Sequence, residues 1–240
     1  MGVKSICSRV YNRACSIINE QRDKKVMRRI VVIESDDWGS IRVPSRNVYD
    51  ALMAEGYAMD KRPYERYDCL ETDEDVKALS DVLLKYKDKN GRHPVLTLNY
   101  LSANPDFRKI KEKGYTEYIY EDVCNTYSRF PQSTNVIQMV KDGIEQGIFM
   151  PQCHGREHFN VTDWLNALRK GDKDVMTAFG YGMCGIFPKV DPAKGNQYMV
   201  ALKSHDDESQ KYVCDVVAQS LAIFRNIWGY ASRSFIAPCY

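Results

Sequence analysis

Four side chains in this 240-residue sequence have the types and spacing for metal chemistry. Asp36 and Asp37 are neighbours, and His154 and His158 form a His-x-x-x-His motif. Two imidazoles and one carboxylate leave positions on a divalent ion open for water and substrate. Half of the four histidines in the chain belong to this motif. The pattern therefore predicts a metal site built from His154, His158 and one of the two aspartates.

Short apolar runs place these side chains at the ends of predicted strands. Such runs precede Asp36 (residues 30–33) and His154 (148–153), a third covers 94–101 with Asn99 near its end, and a fourth is predicted at 232–240. The carboxyl ends of parallel strands lie along one edge of a sheet, so the polar residues are expected to converge there. The sequence predicts an α/β fold whose parallel sheet is open or closed into a barrel.

Helical periodicity separates the predicted strands. Helices are predicted near residues 45–56, 72–91, 134–146, 162–168 and 204–228, whereas 57–71 and 171–202 are expected to be irregular. Side chains that accept hydrogen bonds from the first turn mark where such helices begin. The predicted N-caps are Ser45, Thr72, Thr162 and Ser204. Thr72 is predicted to form a capping box with Asp75, and Ser204 to form one with Asp207.

Composition restricts the class of protein. A net charge of +2 gives no reason to expect a nucleic-acid partner, and no stretch approaches the roughly 20 apolar residues of a membrane span. The eight cysteines include no Cys-x-x-Cys motif, which favours free thiols in a reducing compartment. Residues 1–28 are basic and mildly amphipathic but lack the apolar core of a secretory signal. The expected location is the cytoplasm, with residues 29–240 forming the main domain.

Other candidate patterns have simpler explanations. His154–His158 also fits the H-x-x-E-H motif of zinc proteases, in which Glu157 would be the general base. Those proteases carry the motif inside a helix, whereas here His154–His158 follows a predicted strand. The His205–Asp207 cluster is explained by the start of a helix. Aromatic residues between 102 and 133 either line a sugar groove or give an inserted segment its own core; they are Tyr115, Tyr118, Tyr120, Tyr127 and Phe130.

The order of the motifs over residues 29–240 resembles the polysaccharide deacetylase family, the NodB-homology group or carbohydrate esterase family 4. The resemblance rests on Asp36-Asp37, on His154-x-x-x-His158 and on the Phe-Ile-Ala-Pro-Cys-Tyr run at 235–240. It implies a distorted (β/α) barrel that removes N- or O-acetyl groups from carbohydrates, as a hydrolase of non-peptide carbon–nitrogen bonds. About four barrel strands with insertions are countable here. The chain is therefore expected to be the amino-terminal portion of such a barrel.

Residue by residue, the resemblance implies that Asp36 is the general base. Asp37, His154 and His158 would hold the ion, with zinc expected first and cobalt, nickel or manganese as alternatives. Pro238 and Tyr240 match the motif that shapes one groove wall. Trp38, which stands where the family has glycine, is expected to stack on a sugar, and Asn99 is expected to bind substrate.

The sequence also departs from the family. Gly155 replaces the usual Ser or Thr, and Ile236 stands where an arginine orients the base, with Arg233 nearby. The later motifs, including the general-acid histidine, have no counterpart before Tyr240. Two alternatives therefore stay open: a glycoside hydrolase of the same superfamily, or a catalytically inactive carbohydrate-binding fragment. The predicted partner is an acetylated carbohydrate, and the sequence leaves the oligomeric state open.

Overall fold

The computed structural model describes residues 29–190 and 198–239. The predicted amphipathic segment 1–28 and Tyr240 lie outside these described residues. All elements below belong to one compact unit that begins at Ile33. In chain order, its strands are β1 (Glu34–Trp38), β2 (Leu96–Tyr100), β3 (Ala103–Pro105), β4 (Tyr120–Asp122) and β5 (Phe149–Cys153).

A parallel sheet in the order β1-β2-β5 is the frame of the described part of the chain, and β3 and β4 form a separate antiparallel pair. The pairing of β2 with β5 is regular from Leu96 opposite Phe149 to Tyr100 opposite Cys153. Crossovers that carry helices join the parallel strands, as a parallel sheet requires. The α/β class predicted from the sequence is confirmed.

The first strand begins later than the apolar run predicts. Residues 30–33 are between 51% and 84% exposed, and β1 begins at Glu34. An apolar run becomes a strand only where a neighbour pairs with it, and the register of β1 with β2 starts at Glu34 opposite Thr97. As a result, Asp36 and Asp37 lie inside β1 and not in a turn after it.

The fourth predicted strand is also corrected. Within the described residues, the segment after Trp228 pairs with the sheet through one parallel bridge, between Phe235 and Cys153. Pro238 cannot donate a backbone hydrogen bond, which limits further pairing at that end. The described residues thus show an open parallel sheet and no closed barrel.

Helices lie in the connections between the strands. Their bounds are α1 (Arg46–Ala54), α2 (Pro63–Tyr67), α3 (Asp73–Leu84), α4 (Phe107–Glu112), α5 (Val123–Arg129), α6 (Val136–Glu145), α7 (Val161–Arg169), α8 (Lys173–Gly180) and α9 (Asp207–Trp228), with 3-10 turns at Met59–Lys61 and Pro131–Ser133. Helix α2 and helix α8 occupy stretches that the sequence predicts to be irregular. Among the described residues, no helix is long and apolar enough to cross a membrane.

The caps of the early helices follow the prediction. The Ser45 side chain accepts from the Val48 backbone at the start of α1, and Thr72 and Asp75 form the capping box of α3. Each such cap satisfies a backbone N–H that the helix leaves unpaired and is worth about 1 kcal/mol.

Two predicted caps are wrong by two residues. Asn160, not Thr162, caps α7, because its side chain accepts from the Asp163 backbone. Helix α9 begins with a capping box formed by Asp206 and Ser209 in place of the predicted Ser204 and Asp207. Both segments contain several residues able to cap, and such residues do not by themselves fix the start of a helix.

Two apolar clusters pack around the sheet and around helix α7. One covers the sheet with residues of α3, α6 and α9, including Leu98, Val140 and Phe224. The other surrounds Trp164 of α7, where Phe159, Tyr118 and Phe179 pack at ring distances between 4.9 and 6.3 Å. Tyr115 also belongs to this second cluster. Aromatic residues of the inserted segment thus contribute to a small core, which supports the second of the two alternatives for them.

Candidate metal centre

A β-bulge in β1 presents Asp36 and Asp37. Ser35 pairs with Leu98 and Trp38 pairs with Tyr100, so two residues of β1 oppose the single residue Asn99 of β2. Consecutive side chains of a regular strand point to opposite faces, but a bulge re-aims one of them. Both aspartates line the same cavity. The bulge therefore explains how two adjacent residues can serve one site.

Asp37 adopts an uncommon backbone conformation at this bulge. Its φ of 67° lies in the left-handed region, which costs an L-residue about 1–2 kcal/mol. Gly39 follows with a φ of 81°, and a Cβ there would meet the Val123 side chain at 2.7 Å. The glycine lets β1 turn immediately after the aspartates. Strain of this kind concentrates at functional sites.

Strand β5 delivers His154, as predicted. The His154 backbone N–H donates to the Tyr100 carbonyl at 2.8 Å, and its imidazole is buried. His154 Nδ1 lies 2.8 Å from the Ile236 carbonyl oxygen, which can only accept. Nδ1 must therefore carry a proton, and Nε2 is the ring nitrogen that faces the site, where it can offer its lone pair to an ion. A backbone carbonyl that orients a histidine in this way is typical of metal sites.

A glycine turn brings His158 beside His154. Gly155 has a φ of 108°, and a Cβ there would lie 3.1 Å from the Pro238 ring. The positive φ and the close approach of Pro238 both favour glycine at position 155. Burial lowers the pKa of His158 to about 4; the Asp37 charge opposes this shift, and the charges of Arg42 and His154 add to it. His158 is consequently neutral near pH 7, the form that binds metal.

The ligand atoms have separations that suit one ion. Asp37 Oδ1 lies 3.3 Å from His154 Nε2 and 3.1 Å from His158 Nε2, and the candidate ligand atoms all lie within 4.8 Å of one another. Bond lengths of about 2.0–2.2 Å in a tetrahedral zinc site place neighbouring nitrogen and oxygen ligands roughly 3.4 Å apart. The observed distances are within about 0.3 Å of that value. The set fits a divalent ion.

Unpaired polar atoms support the same conclusion. Asp37 Oδ1 and His154 Nε2 are buried and have no hydrogen-bond partner among the described residues. With the proton on Nδ1, both atoms carry lone pairs directed at each other, an arrangement that is unfavourable without a proton or cation between them. A cation bound between them would satisfy both atoms.

Arg42 fixes the other oxygen of Asp37. Its Nη2 lies 2.6 Å from Asp37 Oδ2, and its Nε lies 3.2 Å from Asp68 Oδ2. Burial on its own would raise the pKa of Asp37, but the adjacent His154 imidazole and the Arg42 charge hold it well below its usual range. Asp37 is therefore a carboxylate with Oδ1 available to an ion.

Asp36 has a different environment. It is exposed to the cavity, and one of its oxygens accepts a 2.7 Å hydrogen bond from Asn99 Nδ2. Asn99 is fully buried and lies 3.5 Å from Glu34 Oε2 as well. Asn99 therefore positions Asp36 from inside the sheet, and the expected direct contact of Asn99 with substrate is wrong for this buried side chain.

The cavity above these residues has a volume of about 660 Å³. Its floor consists of the two aspartates and the two histidines. Its walls include Tyr64, Glu65, Tyr67 and Asp68 from the α2 region and Ile236, Ala237 and Cys239 from the end of the described chain. The volume is in the range of small-molecule sites.

Other predicted substrate contacts need correction. Trp38 is 8% exposed and packs in the sheet core with its ring 5.7 Å from Tyr100, so it cannot stack on a sugar in the cavity. Pro238 is buried against Gly155 and supports the wall without lining it. The substrate contact predicted for Tyr240 lies outside the described residues.

The protease alternative conflicts with the position of Glu157. This residue is 3% exposed and forms two 2.6 Å bonds with Arg156. A carboxylate held in that way is not free to act as a base beside the ion. The motif also lies between β5 and α7 and not inside a helix.

The His205–Asp207 cluster lies at the start of α9, as predicted: Asp206 is the N-cap and the His205 backbone N–H donates to Ser209 Oγ. The His205 ring also contacts Asp163 of α7 at 3.2 Å, which the sequence does not predict.

Several residues of the site are not predicted by the sequence patterns. Arg42, Asp68 and the Ile236 carbonyl contact or flank the predicted ligands, and Tyr64 and Tyr67 line the cavity. Arg42 stands five positions after Asp37, and a cation so close to an acidic pair is a weak signal in the sequence. A backbone carbonyl has no such signal.

The chain was also compared with known proteins. No protein-family model, curated protein or solved structure matches it.

Proposed function

We propose that this protein is a divalent-metal-dependent hydrolase that removes acetyl groups from a carbohydrate, with zinc as the first expected ion. The observation that carries the proposal is the meeting of Asp37 Oδ1 with two histidine Nε2 atoms at 3.1 and 3.3 Å. The resemblance in motif order supplies the substrate class. We further propose that the open sheet belongs to a distorted (β/α) barrel of the deacetylase type.

The neighbouring residues supply the acid–base chemistry of this reaction. An ion held by Asp37, His154 and His158 would act as a Lewis acid, lowering the pKa of water and polarising the acetyl carbonyl. Asp36 is exposed in the same cavity, and its carboxylate is the proposed acceptor of the proton from the attacking water. Asn99 restrains one Asp36 oxygen and leaves the other for the proton.

Asp68 is our candidate for the proton donor to the leaving amine or alcohol. Burial raises its pKa to about 6, with the charges of Asp37 and Glu65 adding to the shift and Arg42 opposing it. A carboxyl group with a raised pKa keeps its proton closer to neutral pH, as a general acid must. Asp68 lines the cavity and shares Arg42 with Asp37.

Tyr64 and Tyr67 are the proposed sugar-binding surface in place of Trp38. Both line the cavity, and they are 65% and 70% exposed. They project from α2, a short helix that buries none of its residues. Exposed aromatic rings bury apolar area when they stack on a ligand, which makes them suitable partners for a pyranose face.

The proposal is tested by acetate release from acetylated oligosaccharides, with the full chain loaded with zinc. Asp36→Asn should lower kcat by about 10²–10⁴-fold with zinc content unchanged, as expected for a lost general base. Asp37→Asn should lose bound zinc as well as activity. His205→Ala, which replaces an exposed histidine outside the site, is the matched control. Equal acetate release by wild type and both aspartate variants would contradict the proposal.

A glycoside hydrolase is the second candidate function. The specific observation in its favour is that Asp36 and Asp68, a pair of carboxyl groups in different environments, line one cavity. Release of new reducing ends without acetate would favour this alternative. Sugar binding that persists after chelation, with no turnover, would instead identify an inactive carbohydrate-binding protein.

A further inference from the structure

We propose that Cys239 is an additional ligand of the ion held by Asp37, His154 and His158. This inference rests on the proposed metal site. The Cys239 thiol lines the cavity, and its Sγ lies 3.9 Å from His158 Nε2. In a tetrahedral site with zinc–nitrogen bonds near 2.0–2.1 Å and a zinc–sulfur bond near 2.3 Å, these two atoms are roughly 3.6 Å apart. From 3.9 Å, an adjustment of a few tenths of an ångström brings Sγ to a ligand separation from His158 Nε2. Cys239 does not belong to the group whose ligand atoms all lie within 4.8 Å of one another, so its side chain must also turn toward Asp37 and His154 when the ion binds.

A second, independent observation points to a ligand at the same place. The His154 side chain is 97% buried, and its Nε2 is directed into the site with no hydrogen-bond partner in the described ranges. A proton or a cation between that atom and Asp37 Oδ1 satisfies both, whatever the role of the thiol. Cys239 thus lies beside a group of side chains that could hold an ion.

The segment 235–239 is held against the metal centre at several points. Phe235 bridges to Cys153, the Ile236 carbonyl accepts from His154 Nδ1, and the Pro238 ring packs on Gly155. Cys239 follows with a φ of 47°, a left-handed conformation that is unusual for a residue other than glycine. These anchors fix the direction from which the thiol approaches His158.

A thiolate ligand predicts which ions the site prefers. Soft sulfur ligands favour zinc and cobalt over manganese and magnesium, whereas a site with only carboxylate and imidazole ligands discriminates less between these ions. Coordination requires loss of the thiol proton, which passes to solvent when the ion binds. Zinc binding should therefore release an additional proton in the wild-type protein compared with Cys239→Ser.

Cobalt provides the direct test, because a bound thiolate gives a sulfur-to-cobalt charge-transfer band in the near ultraviolet. The full chain is titrated with Co²⁺, together with Cys239→Ser and the matched control Cys214→Ser, which replaces an exposed cysteine of α9. We expect the band in wild type and in Cys214→Ser and its loss in Cys239→Ser. Zinc affinity should fall about 100-fold in Cys239→Ser, and manganese affinity should stay within about twofold.

The outcomes separate this inference from the proposed function. Cobalt bound stoichiometrically, with visible d–d bands but no charge-transfer band in wild type, would overturn the role of Cys239 and leave the Asp37–His154–His158 site intact. A band that persists in Cys239→Ser would overturn the role of Cys239 in the same way. Failure of wild type to bind cobalt at all would overturn both proposals. Alkylation with iodoacetamide and peptide mapping adds a second readout, since zinc should protect Cys239 but not Cys214.

Discussion

Two clusters of charged residues arise from the single segment His154–His158, and they differ in how their polar atoms are satisfied. Arg156 and Glu157 pair with each other, and Arg156 also donates to Gln219 at 2.6 Å and to Tyr212 at 3.2 Å. The rings of Tyr118 and Tyr120 lie 5.2 and 4.5 Å from its guanidinium carbon. In the flanking metal centre, Asp37 Oδ1 and His154 Nε2 lack hydrogen-bond partners among the described residues.

The difference indicates what each cluster does. The buried charges of Arg156 and Glu157 compensate each other and their hydrogen bonds are filled, so removing one partner leaves an uncompensated buried charge. Buried polar atoms left unpaired are rare in proteins, and they call for a ligand or another explanation. One short segment thus contributes to two clusters: Arg156 and Glu157 pair with each other, and the two histidines face the cavity, where they form a possible metal site with Asp37.

Neutralising Glu157 without changing its size should have the largest effect on stability. Glu157→Gln leaves the Arg156 guanidinium buried without its counter-charge, so we expect the free energy of unfolding of the metal-free protein to fall by about 3–5 kcal/mol. Urea unfolding followed by far-ultraviolet circular dichroism measures it. Asp81→Asn, at an exposed ion pair with Lys77, is the control and should leave the free energy of unfolding nearly unchanged.

If the free energy of unfolding of Glu157→Gln fell by less than about 1 kcal/mol, the Arg156–Glu157 pair would not depend on its charge compensation, and the contrast with the metal centre would be lost. The double variant Arg156→Met with Glu157→Leu sharpens the test. It replaces both partners with apolar side chains and should recover much of the lost stability, because such exchanges are often nearly neutral.

The equivalent change at the metal centre should act mainly on binding. Asp37→Asn removes the charge that an ion needs, so we expect zinc affinity to fall about 100-fold or more. In the metal-free protein, the variant loses the charge that pairs with Arg42, but Arg42 keeps Asp68 at 3.2 Å, and the new amide N–H can donate to His154 Nε2. The free energy of unfolding should therefore fall by less than in Glu157→Gln.

Zinc affinity of Asp37→Asn is measured by competition with a chromogenic chelator, and its stability by urea unfolding without metal. His93→Ala, at a half-buried histidine before β2, is the control for unspecific zinc binding. A variant that binds zinc as tightly as wild type would show that Asp37 is not a ligand.

Arg42→Lys should have a smaller effect on binding. The substitution keeps the positive charge, but a single ammonium group cannot hold Asp37 and Asp68 at the 2.6 and 3.2 Å distances at which Arg42 contacts both. Loss of a group that orients a ligand typically weakens metal binding about 10- to 100-fold, and we expect the lower end because the charge remains. Calorimetric titration with zinc measures the change, with Arg46→Lys, at an exposed ion pair of α1, as the control.

If Arg42→Lys binds zinc like wild type while Asp68→Asn does not, the orienting role belongs to Asp68. An unchanged affinity in both variants would show that the bulge alone fixes Asp37. Either result would show that Arg42 does not orient Asp37 for metal binding.

How far the sequence predicts this site depends on the kind of interaction. His154 and His158 are predictable because the spacing of two histidines after a strand is a local pattern. The bulge at Asp36 and Asp37 is not, because a register shift depends on the neighbouring strand and leaves no mark in the sequence of β1. Without that bulge, the two aspartates could not be assigned to one face.

Burial is the second quantity that sequence alone does not decide. The sequence predicts Trp38 in the cavity because aromatic residues stack on sugars, but the pleat of β1 places it in the core with Tyr100. Tyr64 and Tyr67 carry the same chemistry and are exposed at the cavity. Residue type does not give the side of the sheet that faces the cavity, so the sequence does not reveal that Trp38 is buried in the core.

Glu71 should have the smallest effect of these residues, and that effect should be on stability and not on metal binding. It supports the turn after β1 through hydrogen bonds and does not contact the candidate ligand atoms. It accepts from the Gly39 backbone at 2.9 Å and from the Tyr127 hydroxyl at 2.7 Å. Burial raises the pKa of Glu71 to about 7 from an ordinary value of 4.5, with these hydrogen bonds opposing the shift. Between these two pH values the unfolded chain loses the proton first, so the stability contributed by protonated Glu71 decreases as the pH rises.

Glu71→Gln should remove this dependence, because glutamine does not titrate. We expect the decrease in unfolding free energy between about pH 5 and about pH 8 to be smaller in the variant by about 1 kcal/mol, after allowance for solvent screening of a half-buried group. Urea unfolding at a series of pH values measures it, and Glu74→Gln, at an exposed residue of α3, is the control. Since Glu71 does not contact the ligand atoms, zinc affinity at neutral pH should be unchanged. A large loss of zinc affinity would mean that the Gly39 turn holds Asp37 in its binding conformation. The hydrogen bonds of Glu71 would then contribute to metal binding as well as to folding.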